Sequence, residues 1–117
     1  MKVLIADDNR LLLSTLAMVL RTQGHEVMEA DSGADALQLV ARQRPDAAII
    51  DLHMPIVSGV DVAGQLRSQN IPFVVLSAYD EQDVREAAME LGAKGYLLKP
   101  TTEGELAAAV AWCGQEP

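Results

Sequence analysis

The sequence is short of several things, and each shortage excludes a class of protein. It has a single cysteine, Cys113. One thiol closes no disulfide within the chain and cannot build a cysteine-based zinc site. Basic residues are scarce: 9 Lys and Arg stand against 17 Asp and Glu, for a formal charge of −8. Phosphate backbones are held by basic faces, so direct nucleic-acid binding by this domain is not expected. No apolar run reaches the roughly 20 residues of a membrane span. No charged-then-apolar leader ahead of a cleavage site is recognisable. Low-complexity tracts, linkers and internal repeats are lacking too. The expectation is a cytoplasmic protein that engages neither nucleic acid nor membrane.

What is present suits a compact fold. Hydrophobic residues make up 50% of the chain and charged residues 22%, a balance unlike that of disordered segments. The length of 117 residues allows one domain over residues 1–117 and not two. Such a domain buries roughly two-thirds of the surface its unfolded chain exposes, and so needs no covalent staples.

Two kinds of segment alternate along it. Five short apolar runs read as strands: Lys2–Ala6, His25–Glu29, Ala47–Ile50, Phe73–Leu76 and Gly95–Leu98. They lack strict alternation, which suggests strands buried on both faces of a parallel sheet. Between them lie segments with helical spacing. Leu12, Leu16, Val19 and Leu20 mark one stripe, and Ala36, Leu37, Val40 and Ala41 another. Punctuation supports the division. Thr102 to Glu105 has capping-box form ahead of the last helix. Asp80 stands where the fourth helix needs an N-cap. Gly24 and Gly92 stand where the first and fourth helices should stop. Pro45 and Pro72 mark the approach to strands three and four. Five βα units predict an α/β fold: a doubly wound, flavodoxin-like three-layer sandwich around a five-stranded parallel sheet in order 2-1-3-4-5.

In open sheets of this kind, sites lie beyond the carboxyl ends of the strands. Strand one ends in Asp7 and Asp8, strand three in Asp51, strand four in Ser77, and strand five in Lys99 and Pro100. Strand two ends near Asp31, away from the switch point. Singly, these residues have plain readings: an Asp after a strand caps or turns, a Ser turns, and a Lys is a solvated charge. Together they place three carboxylates, a hydroxyl and an ammonium on one edge. Crowded carboxylates take up a proton or a cation. Hard oxygen ligands suit Mg²⁺. A carboxylate nucleophile beside a divalent ion and a lysine suits phosphoryl transfer.

The residues Val3-Leu-Ile-Ala-Asp-Asp8, Asp51-Leu-His-Met-Pro-Ile-Val-Ser-Gly59, Val75-Leu-Ser-Ala78 and Gly95-Tyr-Leu-Leu-Lys-Pro100 carry a family resemblance. Over nearly its whole length the chain resembles the receiver domain of bacterial two-component response regulators, the single-domain chemotaxis regulators among them. The resemblance implies Asp51 as the phosphoacceptor. It implies Mg²⁺, with Mn²⁺ as a substitute, held by Asp8 and Asp51 directly, by Asp7 mainly through a water, and by the backbone carbonyl of His53. Ser77 would bond the phosphoryl oxygen, and Lys99 would pair with Asp51 and then with the phosphoryl group. Tyr96 would be the aromatic switch that turns inward as Ser77 moves, and Lys99–Pro100 would be cis. His53 and Tyr79 would flank the path of the hydrolytic water, with Tyr79 shielding the phosphate. Met54, Pro55 and Gly59 read as loop-shaping residues. His25 reads as structural. Met18, Met28, Met54, Met89 and Cys113 read as core or surface filler.

The implied function is a phosphorylation-controlled signalling switch, not a dedicated enzyme. It would be fed by a sensor histidine kinase or histidine phosphotransfer protein. A phosphorylation-independent adaptor is the alternative, although Asp7, Asp8, Asp51, Ser77 and Lys99 are all present. An Mg²⁺-dependent phosphatase would need a carboxylate where His53 stands. The last helix, Leu106-Ala-Ala-Ala-Val-Ala-Trp-Cys113, is apolar almost all round. Its outer face, with helix four and strand five, is expected to be covered by a partner, an output domain or a dimer mate. Alanine as a plain helix former is the other reading. No Lys or Arg follows Lys99, so the charged pairs with basic helix-five residues, common in transcription-factor relatives, are not expected.

Overall fold

A computed structural model describes residues 1–54 and 56–114. Strands and helices alternate: β1 (Lys2–Ala6), α1 (Arg10–Thr22), β2 (Glu26–Ala30), α2 (Gly33–Arg42), β3 (Ala47–Asp51), α3 (Gly59–Ser68), β4 (Phe73–Ser77), α4 (Gln82–Glu90), β5 (Tyr96–Leu98) and α5 (Glu103–Cys113). The sheet is parallel in order β2-β1-β3-β4-β5, as the βα pattern predicts. Pro55, read as loop-shaping, lies outside the described residues, as do residues 115–117 of the expected domain.

The absence of alternation in the strands has its cause in two separate cores. Successive strand residues point to opposite faces, and both faces are covered. Val3, Ile5, Ile49, Val74 and Leu76 pack against α1 and α5. Leu4, Ala6, Ile50, Phe73 and Val75 pack against α2, α3 and Ala88 of α4. Every residue of β3 and β4 is buried, so those strands read as unbroken apolar runs. The edge strand β2 has only Met28 and Ala30 buried.

Local chemistry sets most element ends. Thr102 caps α5 in a full capping box with Glu105. Gly24 and Gly92 both take φ +97° just past α1 and α4, a region open to glycine at little cost. Gly24 also corrects the second strand. The amide of His25 returns to the Leu20 carbonyl at 3.2 Å, so His25 belongs to the turn and β2 starts at Glu26. The fourth helix starts one residue later than expected, with Glu81 at the N-cap and no side-chain capping bond. Asp80 is drawn instead to Arg85, whose Nε lies 2.7 Å away. The guanidinium gives that carboxylate a cationic donor, which a backbone amide does not. The α1 stripe is rotated slightly from expectation. Leu13, Leu16, Ala17 and Leu20 are buried, and Leu12 and Val19 are half-buried beside them. Ala41 of the α2 stripe is exposed, while Ala36 and Val40 are buried.

The fillers divide. Met28 and Met54 are buried, whereas Met18 and Met89 are exposed. Cys113 is buried, and that burial pushes its thiol up to about 11, so it packs as a small apolar group. In α5, Leu106, Ala109, Val110 and Cys113 face the core. Beyond its exposed first turn, Glu103 to Glu105, what the helix turns outward is alanine, at Ala107 and Ala111. Trp112 is half-buried, with its ring closed over Gly95.

Gly59 starts α3 where the chain returns to the end of β3. A Cβ there would lie 2.2 Å from the Asp51 carbonyl oxygen and 2.5 Å from the Leu52 Cα. Backbone cannot yield as a side chain can. We therefore expect Gly59→Ala to lose about 1–3 kcal/mol of stability. Gly64, inside the same helix with open space around it, is the control, and Gly64→Ala should gain about 0.5–1 kcal/mol. Urea unfolding of both variants tests the pair, and equal midpoints would show that the close approach is not a constraint.

Candidate functional site

Four side chains arrive at one edge because four parallel strands end there. Asp7 follows β1, Asp51 ends β3, Ser77 ends β4 and Lys99 follows β5. Asp7, Asp51 and Ser77 are 0%, 3% and 0% exposed, and they are the buried polar side chains of the described residues. Asp31, at the end of β2, stays apart and pairs with Arg10 at 2.9 Å.

Each of the three buried groups performs the same local task. One oxygen of each accepts a bond from the backbone amide two residues on. Asp7 Oδ1 accepts from Asn9 at 2.9 Å, Asp51 Oδ1 from His53 at 2.9 Å, and Ser77 Oγ from Tyr79 at 3.1 Å. These are Asx and Ser turns, the ordinary way such residues redirect a chain leaving a strand. The turn-forming reading is therefore correct, and it occupies one oxygen of each carboxylate. The other oxygen is free to face the site. Asp7 Oδ2 lies 2.7 Å and Asp51 Oδ2 3.1 Å from Lys99 Nζ. The Lys99–Asp51 contact is a hydrogen bond. The Lys99–Asp7 contact is a close ion pair outside hydrogen-bond geometry, which leaves the buried Asp7 Oδ2 without a hydrogen-bond donor.

Asp8 is exposed. It does not cap α1, because Asn9 does so by accepting from Leu12 at 3.1 Å. Sequence reading passed over Asn9, although Asn before a helical stripe is a strong cap signal. Oxygens of Asp7, Asp8 and Asp51 lie within 4.8 Å of one another. Three hard oxygen donors, one of them buried and lacking a donor, match what a small divalent cation takes. One lysine against three carboxylates leaves the edge negative.

Around the charges sits an aromatic layer. The exposed His53 ring meets the Tyr79 ring edge-on, with centroids 4.9 Å apart. Tyr79 is 51% exposed. Tyr96, half-buried on β5, donates its hydroxyl to the Tyr79 carbonyl oxygen. The Arg85 guanidinium lies over the Tyr96 ring, 4.9 Å from its centroid. Nothing local in the sequence marks Arg85, because its partner ring comes from another element. The Lys99–Pro100 peptide is cis, and the Lys99 amide donates to the Ser77 carbonyl at 2.7 Å.

Known proteins resemble this arrangement in sequence and in fold. The family model described as "Response regulator receiver domain" matches residues 3–111. The transcriptional regulatory protein PrrA of Mycobacterium tuberculosis is 42% identical over 111 residues, which is 93% of this chain and 48% of PrrA. The chain thus spans about half the length of such relatives. The signal receiver domain of NarL from Mycobacterium tuberculosis superposes with a TM-score of 0.87 at 35% identity, covering 99% of this chain and 97% of that one. The chemotaxis protein CheY4 of Vibrio cholerae does so with a TM-score of 0.87 at 27% identity, covering 94% and 95%. Among the described residues, no helix is long and apolar enough to cross a membrane.

Among the described residues, Lys99 is the one cation paired with the two buried carboxylates. Burial pulls its pKa down, but the charges of Asp7 and Asp51 outweigh that and raise it above its ordinary value of 10.5. A raised folded value gives stability that is full below the unfolded value and fades as pH climbs through the folded one. Urea stability should therefore fall above about pH 10.5. Lys99→Met should lose that fall, together with about 1–3 kcal/mol near neutral pH without divalent cation. The exposed Lys94→Met should stay within about 0.5 kcal/mol. Equal losses in the two variants would show that the buried pairing contributes nothing.

Proposed function

The chain belongs to the response regulator receiver domain family, and from that premise we propose that it is a phosphorylation-controlled signalling switch with Asp51 as phosphoacceptor. The observation that carries the reading is the pair of contacts from Lys99 Nζ to the free oxygens of Asp7 and Asp51. They concentrate positive charge where a phosphoryl group on Asp51 would need it. The donor class is a phosphohistidine on a histidine kinase or phosphotransfer protein. An Asp51 carboxylate oxygen forms the new P–O bond as the donor's N–P bond breaks, and the imidazole nitrogen keeps the electron pair. Lys99 neutralises the phosphoryl oxygens. The Ser77 hydroxyl uses its oxygen to accept from Tyr79, so its proton is available to a phosphoryl oxygen. Asp7, Asp8 and Asp51, with the His53 carbonyl, would hold Mg²⁺ or Mn²⁺, which when bound adds charge neutralisation at the transferring group.

The switch follows from the same groups. Once Ser77 is drawn to the phosphoryl group by a charge-assisted bond, it leaves room for the Tyr96 ring. The face made by α4, β5 and α5 then changes, and a downstream partner or output domain reads it. The protein acts on itself in this scheme and is a signalling domain, not a dedicated enzyme. The domain is taken to span residues 1–117 and to work in the cytoplasm, where such kinases deliver phosphate.

Intact mass after incubation with acetyl phosphate tests the chemistry. The phosphoryl mass should appear on wild type with Mg²⁺, be absent in Asp51→Asn, and lose most of its Mg²⁺ dependence in Asp8→Ala. Retained labelling of Asp51→Asn would move the acceptor elsewhere. No label, and no complex with beryllofluoride, would favour a phosphorylation-independent adaptor. The Tyr79 ring, packed on His53 beside Asp51, is placed to obstruct water. Tyr79→Ala should shorten the phosphate lifetime several-fold in a decay time course, and an unchanged rate would remove that role from Tyr79.

A further inference from the structure

We propose that Gly33 is a positioning residue for the cation site: by lacking a side chain, it seats the loop between β3 and α3 so that the His53 carbonyl can serve as a ligand. The inference rests on the cation reading above. Gly33 opens α2 and is buried. Its φ is not among the positive ones, which belong to Gly24 and Gly92, so space and not conformation calls for glycine here. A Cβ on Gly33 would stand 1.9 Å from the Val57 carbonyl oxygen, 2.7 Å from the Val57 carbonyl carbon and 2.9 Å from the Val57 Cβ. No change of rotamer relieves an overlap with a backbone carbonyl. The contact is favourable as it stands, because the first turn of a helix is its positive end and a carbonyl oxygen is the negative end of a dipole. Ser32 holds that turn in place by accepting from the Asp35 amide at 3.1 Å.

The seat at Val57 governs a loop that is fixed at both ends. At its close, the Gly59 amide donates to the Leu52 carbonyl at 3.2 Å, and Gly59 stands against the Asp51 backbone. At its start, the His53 amide donates to Asp51 Oδ1 at 2.9 Å, and Met54 is buried in the core. A Val57 displaced from Gly33 cannot shift toward α3, because Gly59 is already pressed against backbone. The shift passes back toward His53. Little of it is absorbed on the way. Pro55 has a fixed φ, and Ile56 already stands at φ +66°, a region costly for a β-branched residue. Ile56 is fully exposed, so its own side chain gains nothing that offsets this strain, and the loop around it must be held by other contacts. The His53 peptide takes up the remainder of the shift. That residue carries both the carbonyl that would face the cation and the amide that aims Asp51.

Binding of Mn²⁺, followed by the electron paramagnetic resonance of the free ion, tests this on the full chain with no phosphoryl donor present. Gly33→Ala should weaken Mn²⁺ binding about tenfold, the lower end of what support of a metal ligand is worth. Mg²⁺, measured by competition, should weaken alike. Val57→Gly slackens the seat without adding bulk and should give a smaller loss in the same direction. Val110→Ala opens a small cavity in the core on the other face of the sheet. It should lower the urea midpoint and leave the Mn²⁺ constant at its wild-type value, which separates placement of the loop from stability of the fold. Circular dichroism shows which variants are folded. Unchanged Mn²⁺ affinity in a folded Gly33→Ala overturns the proposal and leaves the cation site standing. Where that variant does not fold, unchanged affinity in Val57→Gly overturns it instead. An equal loss in Val110→Ala also overturns it, since Gly33 would then act through stability alone. If the wild type binds neither ion, the cation reading itself fails and the role of Gly33 with it.

Discussion

A single ammonium makes the functional edge possible. Asp7 and Asp51 are almost wholly removed from water, and an unpaired buried carboxylate is among the costliest groups a fold can carry. Lys99 answers both at once. It can do so because β5 delivers it there. That strand is three residues long, pairs with β4, and ties the Lys99 amide to the Ser77 carbonyl. The compensation is incomplete by design of the residue count, since Asp8 adds a third carboxylate beside them. An edge that is negative and partly desolvated is prepared for a cation and for a group whose charge Lys99 can then share.

The buried side chains have two employments, and the two do not compete. A carboxylate has two oxygens. In Asp7 and Asp51, one closes a turn on the backbone amide two residues ahead, and the other faces Lys99. The turn locks the rotamer, and the locked rotamer aims the second oxygen. Ser77 follows the same scheme with its one oxygen, leaving its proton unassigned. Local structure thus fixes these oxygens in place before any ligand arrives, the preorganisation that the proposed phosphoryl transfer would draw on.

Tyr79 joins this rigid edge to a softer region. Its amide binds Ser77, its ring packs on His53, and its carbonyl accepts from Tyr96. Beyond Tyr96 lies α4, anchored in the core by Ala88 alone among its residues. A well-packed sheet edge beside a lightly held helix is the arrangement in which a local charge change can have a distant effect. A helix with one buried residue costs little to move.

Much of this was legible beforehand. The five apolar runs, the capping box at Thr102, the stops at Gly24 and Gly92, and the convergence of Asp7, Asp8, Asp51, Ser77 and Lys99 follow from periodicity, turn chemistry and the strand-end rule. Those signals are local, and local backbone preference is what a linear sequence expresses most directly. The misses have a common physical origin. Asp80 left its expected cap for the Arg85 side chain, the buried stripe of α1 runs through Leu13 and Ala17 beside the expected one, and Ala41 came to the surface; which face of a helix meets the sheet is settled by packing, not by spacing alone. Sequence by itself determined the order of elements, the shape of the turns and which residues would share an edge. Tertiary structure alone decided which carboxylate oxygen meets Lys99 and which ring Arg85 covers. Those choices depend on distances between segments far apart in the chain, and no periodicity within a segment encodes them.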